Sequence, residues 1–317
     1  MPAPNVTYGF IGLGQMGHGM AKNLRQKIPE SSILVIFDIN KETMQRFVQE
    51  HGQGGNVKTA SSPKEIAQVA DIVLTSVPQA RHVSDVFLHP TTGLLSVDPA
   101  KKRKILFLEL STIDALASFE IAEKVASGGF GDFVDAPCSG GAMGSESGNL
   151  SFMIGSPDEL YPRVFEICKL LGKEDNIFHC GGLGSGLKTK LLNNYLSSLT
   201  ALATAETINI GIKGGLDARL LNKVLNASSG MNFNSITNNP VPGLTPGNAA
   251  SKGYVGGFSL ELCLAVLELG YKNAQDLGAK TVLGTPMLEA FRDAAKDPAF
   301  QGKDSKIIYR WLGGIDP

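Results

Sequence analysis

The chain has 317 residues and a formal net charge of -1, and 43% of its residues are hydrophobic against 19% charged. This length predicts about two domains, each large enough to bury a core, and the composition excludes a disordered chain. The near-zero charge argues against nucleic-acid binding, because there is no basic excess to neutralise phosphates. No apolar run approaches the roughly 18 residues that a membrane helix needs, so no membrane partner is expected.

The first half of the chain alternates strand and helix patterns. Short apolar runs predict strands at 8–11, 33–37, 72–77, 105–108, around 133 and at 151–154. Helical patterns lie at 16–28, 41–50, 114–126 and 157–171, and Asp114 is expected to cap its helix. This alternation predicts βαβ units and therefore an α/β fold, with an N-terminal doubly wound parallel sheet of the Rossmann type.

The pattern changes near residue 181. Helical patterns follow at 187–213, 217–226, 260–277 and 287–295, and strand patterns almost vanish. We therefore predict a dinucleotide-binding domain over residues 1–180 and an all-helical domain over residues 181–317. The helix at 187–213 would span about 40 Å, which is enough to bridge two lobes or two subunits.

The cysteines and histidines show no pattern typical of a metal site. The four cysteines lie far apart without a CxxC pair, and the five histidines lack metal-ligand spacing, so no metal is predicted. Strand-like sequence begins by Val6, so no secretory or transit segment is expected. We expect an intracellular protein, either cytoplasmic or mitochondrial.

A glycine motif joins the first predicted strand to the first predicted helix. Its residues follow the G-x-G-x-x-G pattern of dinucleotide-binding loops: Gly12, Leu13, Gly14, Gln15, Met16 and Gly17. The first glycine would make the tight turn, the second would let a pyrophosphate approach, and the third would let helix and strand pack closely. The motif therefore predicts a nucleotide site. The alternative is a Gly-rich turn that has the same sequence pattern but no binding function.

Asp38 ends the second predicted strand, where an acidic side chain would accept hydrogen bonds from ribose hydroxyls. The same charge would repel a 2′-phosphate, which favours NAD over NADP. Lys41 lies close enough in sequence to weaken this preference.

Two further clusters carry candidate chemistry. Ser139-Gly140-Gly141 follows a predicted strand, where successive N–H groups would form a nest for a carboxylate or else a simple turn.

Lys190 and Asn194 lie four residues apart and share a face of the predicted long helix. A lysine beside an amide after a Gly-rich hinge suits an active site between lobes, but most helix lysines are solvated surface groups. The residues alone leave both alternatives open.

These clusters together resemble the β-hydroxyacid dehydrogenase family over nearly the whole chain. The matching segments are 9–14, 20–24, 111–114, 135–141, 147–150, 190–194, 228–230 and 239–243. The resemblance implies hydride transfer between NAD and a small β-hydroxyacid such as 3-hydroxyisobutyrate, as in valine catabolism. It also implies a small-molecule substrate as the partner and a homodimer or homotetramer.

The resemblance implies roles for individual residues. Val77, Pro78 and Thr112 match positions that line the cofactor, and His82 is a further candidate because it follows this strand edge.

The substrate side of the predicted site rests on the same resemblance. The resemblance implies that Ser139, Gly140 and Gly141 hold the substrate carboxylate, and Phe233 lies near where relatives place a tryptophan. Lys190 matches the catalytic lysine, acting as general acid or base, and Asn194 matches its partner.

One segment departs from the family pattern. The family carries a Lys-Asp-Leu after a Gly-Gly-Phe, and here Ala265-Val266-Leu267 stands at that place. Lys272 lies about 10 Å further along the same face, too far to replace the missing lysine directly. Two alternatives therefore stay open: a reductase of another carbonyl or imine substrate, and an NAD-binding protein with weak or no catalysis.

Overall fold

The computed structural model describes residues 5–317, and the chain divides into two compact units between Lys190 and Leu191. The first unit holds a sheet with helices, and the second unit holds helices joined by loops. None of the helices within residues 5–317 combines the length and the apolar character that a membrane span requires.

The sheet of the first unit has nine strands among the described residues. They are β1 (Thr7–Ile11), β2 (Ile33–Phe37), β3 (Val57–Thr59), β4 (Ile72–Thr75), β5 (Ile105–Glu109), β6 (Gly131–Asp135), β7 (Cys138–Ser139), β8 (Leu150–Gly155) and β9 (Gly172–Gly181). The order β3-β2-β1-β4-β5-β6 is parallel throughout. This order confirms the predicted doubly wound sheet, whose strands all end at one edge on either side of a central switch point.

The rest of the sheet departs from the parallel pattern. Strand β8 runs antiparallel to β6, β7 runs antiparallel to β8, and β9 pairs with β8 in parallel. The sequence indicated the apolar run of β8 but not the direction of its pairing. Direction depends on how the chain returns to the sheet, which the residues of the strand do not encode.

Helices cover both faces of the sheet. Those of the first unit are α1 (Gly17–Lys27), α2 (Lys41–His51), α3 (Pro63–Val69), α4 (Ala80–Leu88), α5 (Ala115–Ser127), α6 (Gly141–Ser147) and α7 (Tyr161–Cys168), and α8 (Ser185–Lys213) continues into the second unit. Strand neighbours point to opposite faces, so Phe10 and Ile11 lie in separate apolar cores. Gly9 lets α3 approach β1, since a Cβ there would overlap the side chain of Ile66.

Local capping explains where several helices begin. Asp114 accepts a hydrogen bond from the backbone N–H of Leu116 at 2.7 Å, which confirms its predicted role at the start of α5. Asn40 caps α2 in the same way through the N–H groups of Glu42 and Thr43. Such caps satisfy N–H groups that have no partner inside the helix.

The second unit is helical. Its helices after α8 are α9 (Ala218–Asn226), α10 (Phe233–Ile236), α11 (Leu260–Asp276), α12 (Gly284–Ala295) and α13 (Ile308–Trp311). Leu260, Cys263 and Leu267 lie at helical spacing on α11 and pack in one core with Met287 and Phe291 of α12. The predicted α/β unit followed by a helical one is therefore confirmed.

Some predicted bounds were wrong. The helix expected at 157–171 is shorter, Tyr161–Cys168, and the chain then forms β9, which was not predicted. Most residues of β9 are exposed or half-buried and several are charged, so this strand lacks the continuous apolar run that marks the central strands.

Candidate active site

The glycine motif lies at the carboxyl end of β1 and opens α1. Gly12 has a φ of +93°, and a Cβ there would overlap the carbonyl oxygen of Ser76, while a Cβ at Gly17 would overlap the carbonyl oxygen of Gly12. Nothing lies within 4 Å of the position that a Cβ would take at Gly14. The first and third glycines are thus required by packing, and the second leaves its backbone open to a ligand.

The start of α1 suits a phosphate group. Met16 occupies the cap position without a side-chain hydrogen bond, and the first turn carries no acidic residue. Leu13 is buried and Gln15 is exposed beside the open Gly14. Free N–H groups and the positive end of the helix dipole therefore meet open space, and these residues fit the pyrophosphate of a dinucleotide.

The carboxylate of Asp38 holds the glycine loop. Its Oδ2 accepts a hydrogen bond from the N–H of Leu13 at 2.6 Å, and its Oδ1 accepts one from the N–H of Asn40 at 2.8 Å. A carboxylate has about four lone-pair directions, so acceptor capacity remains for a ribose. The loop contact was not foreseen, because it joins two strand ends that are far apart in sequence.

The ends of β4 and β5 carry the other predicted cofactor residues. The N–H of Val77 donates to the hydroxyl of Ser111 at 2.9 Å, so Val77-Pro78 and Thr112 follow neighbouring strands at the edge that also holds the glycine loop. His82 lies in the first turn of α4, and its Nδ1 is inaccessible and has no hydrogen bond within the described part of the chain.

Sequence reasoning missed the buried Glu109 at the end of β5. Its carboxylate accepts a hydrogen bond from the hydroxyl of Thr75 and one from the N–H of Ser111 at 2.7 Å. Burial raises the pKa of Glu109 to about 7, against the lowering effect of these hydrogen bonds. An acidic residue that ends an otherwise apolar run was the available signal. Its effect is to tie the ends of β4 and β5 together beneath Val77 and Thr112.

A second missed carboxylate, Asp135, anchors the start of α8. Its Oδ1 accepts a hydrogen bond from the N–H of Gly184 at 2.6 Å, and its Oδ2 accepts one from the N–H of Leu187 at 2.8 Å. Gly186 is required at this contact, since a Cβ there would overlap the carbonyl oxygen of Met153. The first turn of α8 is therefore fastened to the sheet by a side chain at the end of β6.

Lys190 lies just beyond this anchored turn, and its side chain is buried with 7% exposure. No hydrogen bond or ion pair from residues 5–317 reaches its ammonium group. Burial lowers the pKa of Lys190, and nearby Cys138 opposes that shift in part. A buried lysine without a carboxylate partner is held partly toward its neutral form, which can accept a proton. The exposed Lys188 on the same helix has no such environment.

The segment of Ser139 differs from a simple turn. Cys138 and Ser139 form β7, and Gly141 begins the short helix α6. Gly140 and Gly141 both have positive φ values, +136° and +62°, and both are exposed. Their backbone is therefore open beside Cys138, which lies near Lys190.

Comparison with known proteins shows which family the chain belongs to. The profile described as "NAD binding domain of 6-phosphogluconate dehydrogenase" matches residues 7–182, and "NAD-binding of NADP-dependent 3-hydroxyisobutyrate dehydrogenase" matches 184–312. The mitochondrial 3-hydroxyisobutyrate dehydrogenase of Mus musculus is 34% identical over 99% of this chain and 89% of its own length. The chain belongs to the 3-hydroxyisobutyrate dehydrogenase family.

Bacterial members of this family are also similar to the chain. The 3-hydroxyisobutyrate dehydrogenase of Pseudomonas aeruginosa is 34% identical over 97% of this chain and 98% of its own length. A structure of the Mycobacterium tuberculosis 3-hydroxyisobutyrate dehydrogenase with L-serine has a TM-score of 0.80 and 28% identity, covering 97% of this chain and 99% of that one. The present family member is an NAD-dependent oxidoreductase.

The remaining predicted residues of this dehydrogenase lie in the second unit. Asn194 is half-buried on α8, four residues after Lys190, and Phe233 is exposed at the start of α10. Ala265 is exposed on α11, at the place where the family pattern has a lysine, and Lys272 is exposed two turns later.

Proposed function

We propose that this dehydrogenase oxidises 3-hydroxyisobutyrate or a closely similar small β-hydroxyacid, with Lys190 as the general base. The observation that carries the proposal is the buried, unpaired ammonium group of Lys190, close to Cys138 in the strand that leads into the Ser139 loop. Burial without a counter-charge is the environment that brings a lysine pKa down toward the working range of a base.

The proposed mechanism assigns one task to each cluster of this chain. NAD supplies the hydride acceptor when it is bound. Gly12, Gly14 and Gly17 with the start of α1 would bind its phosphates, and Asp38 would accept hydrogen bonds from its ribose. Val77, Pro78, His82 and Thr112 would line the remainder of the cofactor site, together with Leu13, Gln15 and Met16.

Substrate handling falls to the Ser139 loop and α8. The open backbone at Ser139, Gly140 and Gly141 binds the carboxylate and fixes the carbinol carbon. Neutral Lys190 then takes the proton of the substrate hydroxyl in oxidation and returns it in reduction. Asn194 orients the lysine or binds the substrate oxygen, and Phe233 contributes to the substrate pocket.

The charge of Asp38 bears on discrimination between NAD and NADP. One matched family description names NADP, whereas Asp38 carries a negative charge at the end of β2. A carboxylate at this position repels a 2′-phosphate, so we propose a preference for NAD.

The roles of the two domains, the oligomeric state and the cellular location are proposed from the relatives. We propose that residues 1–180 bind the dinucleotide and that residues 181–317 serve the substrate and dimerisation. We further propose a homodimer or homotetramer and an intracellular location, cytoplasmic or mitochondrial, since several relatives are named as mitochondrial proteins.

A substrate panel tests the function. NADH formation is followed with 3-hydroxyisobutyrate, other β-hydroxyacids, and the methyl ester of 3-hydroxyisobutyrate, which lacks the carboxylate charge. We expect the acid to exceed the ester by about 100-fold or more in kcat/KM, because a site built for the carboxylate loses its paired interaction.

Two other results would replace the proposal. Faster turnover of an uncharged alcohol, or faster reduction of a cyclic imine, would instead favour a reductase of another carbonyl or imine substrate. The presence of Ala265 where the family has a lysine is the reason to test this alternative. Binding of NAD without turnover of any substrate on the panel would favour a non-catalytic binding protein.

A further inference from the structure

Three potential metal ligands meet where the start of α1 lies against the end of α2. His18 lies in the first turn of α1, and Glu50 and His51 end α2. The Nε2 of His18 lies 3.2 Å from Oε2 of Glu50, and the Nε2 of His51 lies 3.6 Å from the same oxygen. All three ligand atoms lie within 4.8 Å of one another.

These separations match the edges of a tetrahedral site. Bonds of about 2.0–2.2 Å from Zn²⁺ to nitrogen and oxygen place neighbouring ligand atoms about 3.4 Å apart. The two measured separations to Glu50 fall on either side of that value. An ion therefore needs only small side-chain movements to enter.

Both imidazole Nε2 atoms lie near the carboxylate of Glu50 without forming a well-aligned hydrogen bond to it. The Nε2 atoms of His18 and His51 are both inaccessible to water and make no hydrogen bond within residues 5–317. Phe47 contacts both rings edge-on, with centroid separations of 5.2 and 4.9 Å, and so limits their rotation. Buried nitrogens that are held toward one carboxylate without a hydrogen bond are typical of a site that takes a ligand.

Some charged groups around the cluster favour binding of a cation and others oppose it. Arg46 lies 3.9 Å from the other oxygen of Glu50, and Lys22 donates to Glu146 of α6. The ammonium group of Lys22 opposes a cation, whereas Glu146 interacts favourably with positive charge at His18 and His51.

A cavity leads to the cluster from the surface. It has a volume of about 790 Å³ and is lined by residues that include Gly14, His18, Arg46 and Glu146. An ion can therefore reach His18 without unfolding of either helix.

We propose that His18, Glu50 and His51 bind one Zn²⁺ ion, with water as the fourth ligand. Two imidazoles and one carboxylate form a ligand set that zinc accepts, and oxygen-preferring Mg²⁺ and Ca²⁺ do not favour it. The ion would tie the start of α1 to the end of α2. It has no part in the proposed hydride transfer, so this inference stands independently of the substrate.

The test measures zinc binding by the full chain without an affinity tag. The protein is treated with EDTA, dialysed, and titrated with Zn²⁺ alone in a calorimeter. We expect one ion per chain, and the dissociation constant should rise at least tenfold in His18→Gln, His51→Gln and Glu50→Gln. His89→Gln, which changes an exposed histidine outside the cluster, should bind zinc like the native chain.

The absorption spectrum of bound Co²⁺ distinguishes metal binding at this cluster from metal binding at the cysteine thiolates. Co²⁺ bound by nitrogen and oxygen should give visible absorption without a thiolate charge-transfer band, and the His18→Gln/His51→Gln double variant should lose that absorption. Thermal unfolding in EDTA establishes that each variant is folded. Absence of stoichiometric zinc binding by the native chain, unchanged binding by the double variant, or a thiolate band would each overturn the proposal.

Discussion

The carboxylate of Asp135 accepts the backbone N–H of Leu187 at 2.8 Å, and so joins the end of β6 to the first turn of α8. The same side chain accepts the N–H of Gly184 at 2.6 Å. A sheet residue therefore supplies the cap that α8 lacks in its own sequence. Lys190 follows within one turn of Leu187, so the position of its amine depends on this contact.

Asp135→Ala should destabilise the chain by about 2–4 kcal/mol, because two buried N–H groups lose their acceptor. Urea unfolding followed by circular dichroism measures the change. The matched control is Asp132→Ala, an exposed aspartate on the same strand, which should alter stability by less than about 1 kcal/mol. Equal losses in the two variants would argue against the cap.

Lys190→Met should lower kcat for hydroxyacid oxidation by at least about 100-fold and leave the dissociation constant of NAD nearly unchanged. Methionine fills the buried position without an amine, so the fold is retained. Steady-state kinetics and a fluorescence titration with NADH separate the two effects. Lys188→Met changes an exposed lysine of α8 and should retain activity. Undiminished turnover in the Lys190 variant would remove this residue from catalysis.

The pH dependence of kcat should report the protonation of the Lys190 amine. Burial lowers the pKa of Lys190 below its usual value of 10.5. Oxidation requires the neutral amine, so the rate should rise with pH and level off below 10.5, and reduction should show the opposite dependence. A profile that still rises steeply at the ordinary lysine pKa would contradict the buried environment as the cause.

Asp38→Asn should reduce the preference for NAD over NADP by about tenfold, since it removes the charge that repels a 2′-phosphate. Asparagine keeps an oxygen for the N–H of Leu13, so the loop stays in place. Asp38→Ala should weaken both nucleotides further, because that hydrogen bond is lost as well. Binding constants for the two nucleotides provide the measurement, and equal losses in Asp38→Asn would count against the ribose assignment.

Glu109 should make stability fall as pH rises from 4.5 to about 7. Burial raises its pKa from the usual 4.5 to about 7, so the folded state retains a proton that the unfolded state has already released. The associated stabilisation is complete below pH 4.5 and is lost as pH passes through 7. Glu109→Gln should therefore gain stability relative to the native chain across this window, as measured by urea unfolding at several pH values. Glu123→Gln, at an exposed glutamate of α5, is the surface control.

Elements with strong local patterns could be predicted from sequence. The five apolar residues of β2 mark a strand buried on both faces, and its predicted and observed bounds coincide. The two required glycines of the loop likewise follow from the narrow turn and the close helix that this motif needs.

Weak local patterns failed for identifiable reasons. Helix α6 is rich in glycine and serine, which have poor helix propensity, and it forms because it packs on α1. Gly19 permits this approach, since a Cβ there would crowd Ser145. Strand β3 has only three residues, two of them exposed, so no apolar run signals it.

The sequence by itself determined the alternation of the main strands and helices in the first half and the helical second half, and it indicated the candidate nucleotide loop and catalytic lysine. All of these depend on spacing over a few residues, within the reach of a turn or a single helix face. Only the tertiary structure decided that Asp135 would cap α8 and that His18 would meet His51. These pairs are separated by many residues along the chain and become neighbours only through packing of the sheet and its helices, so no local pattern encodes them.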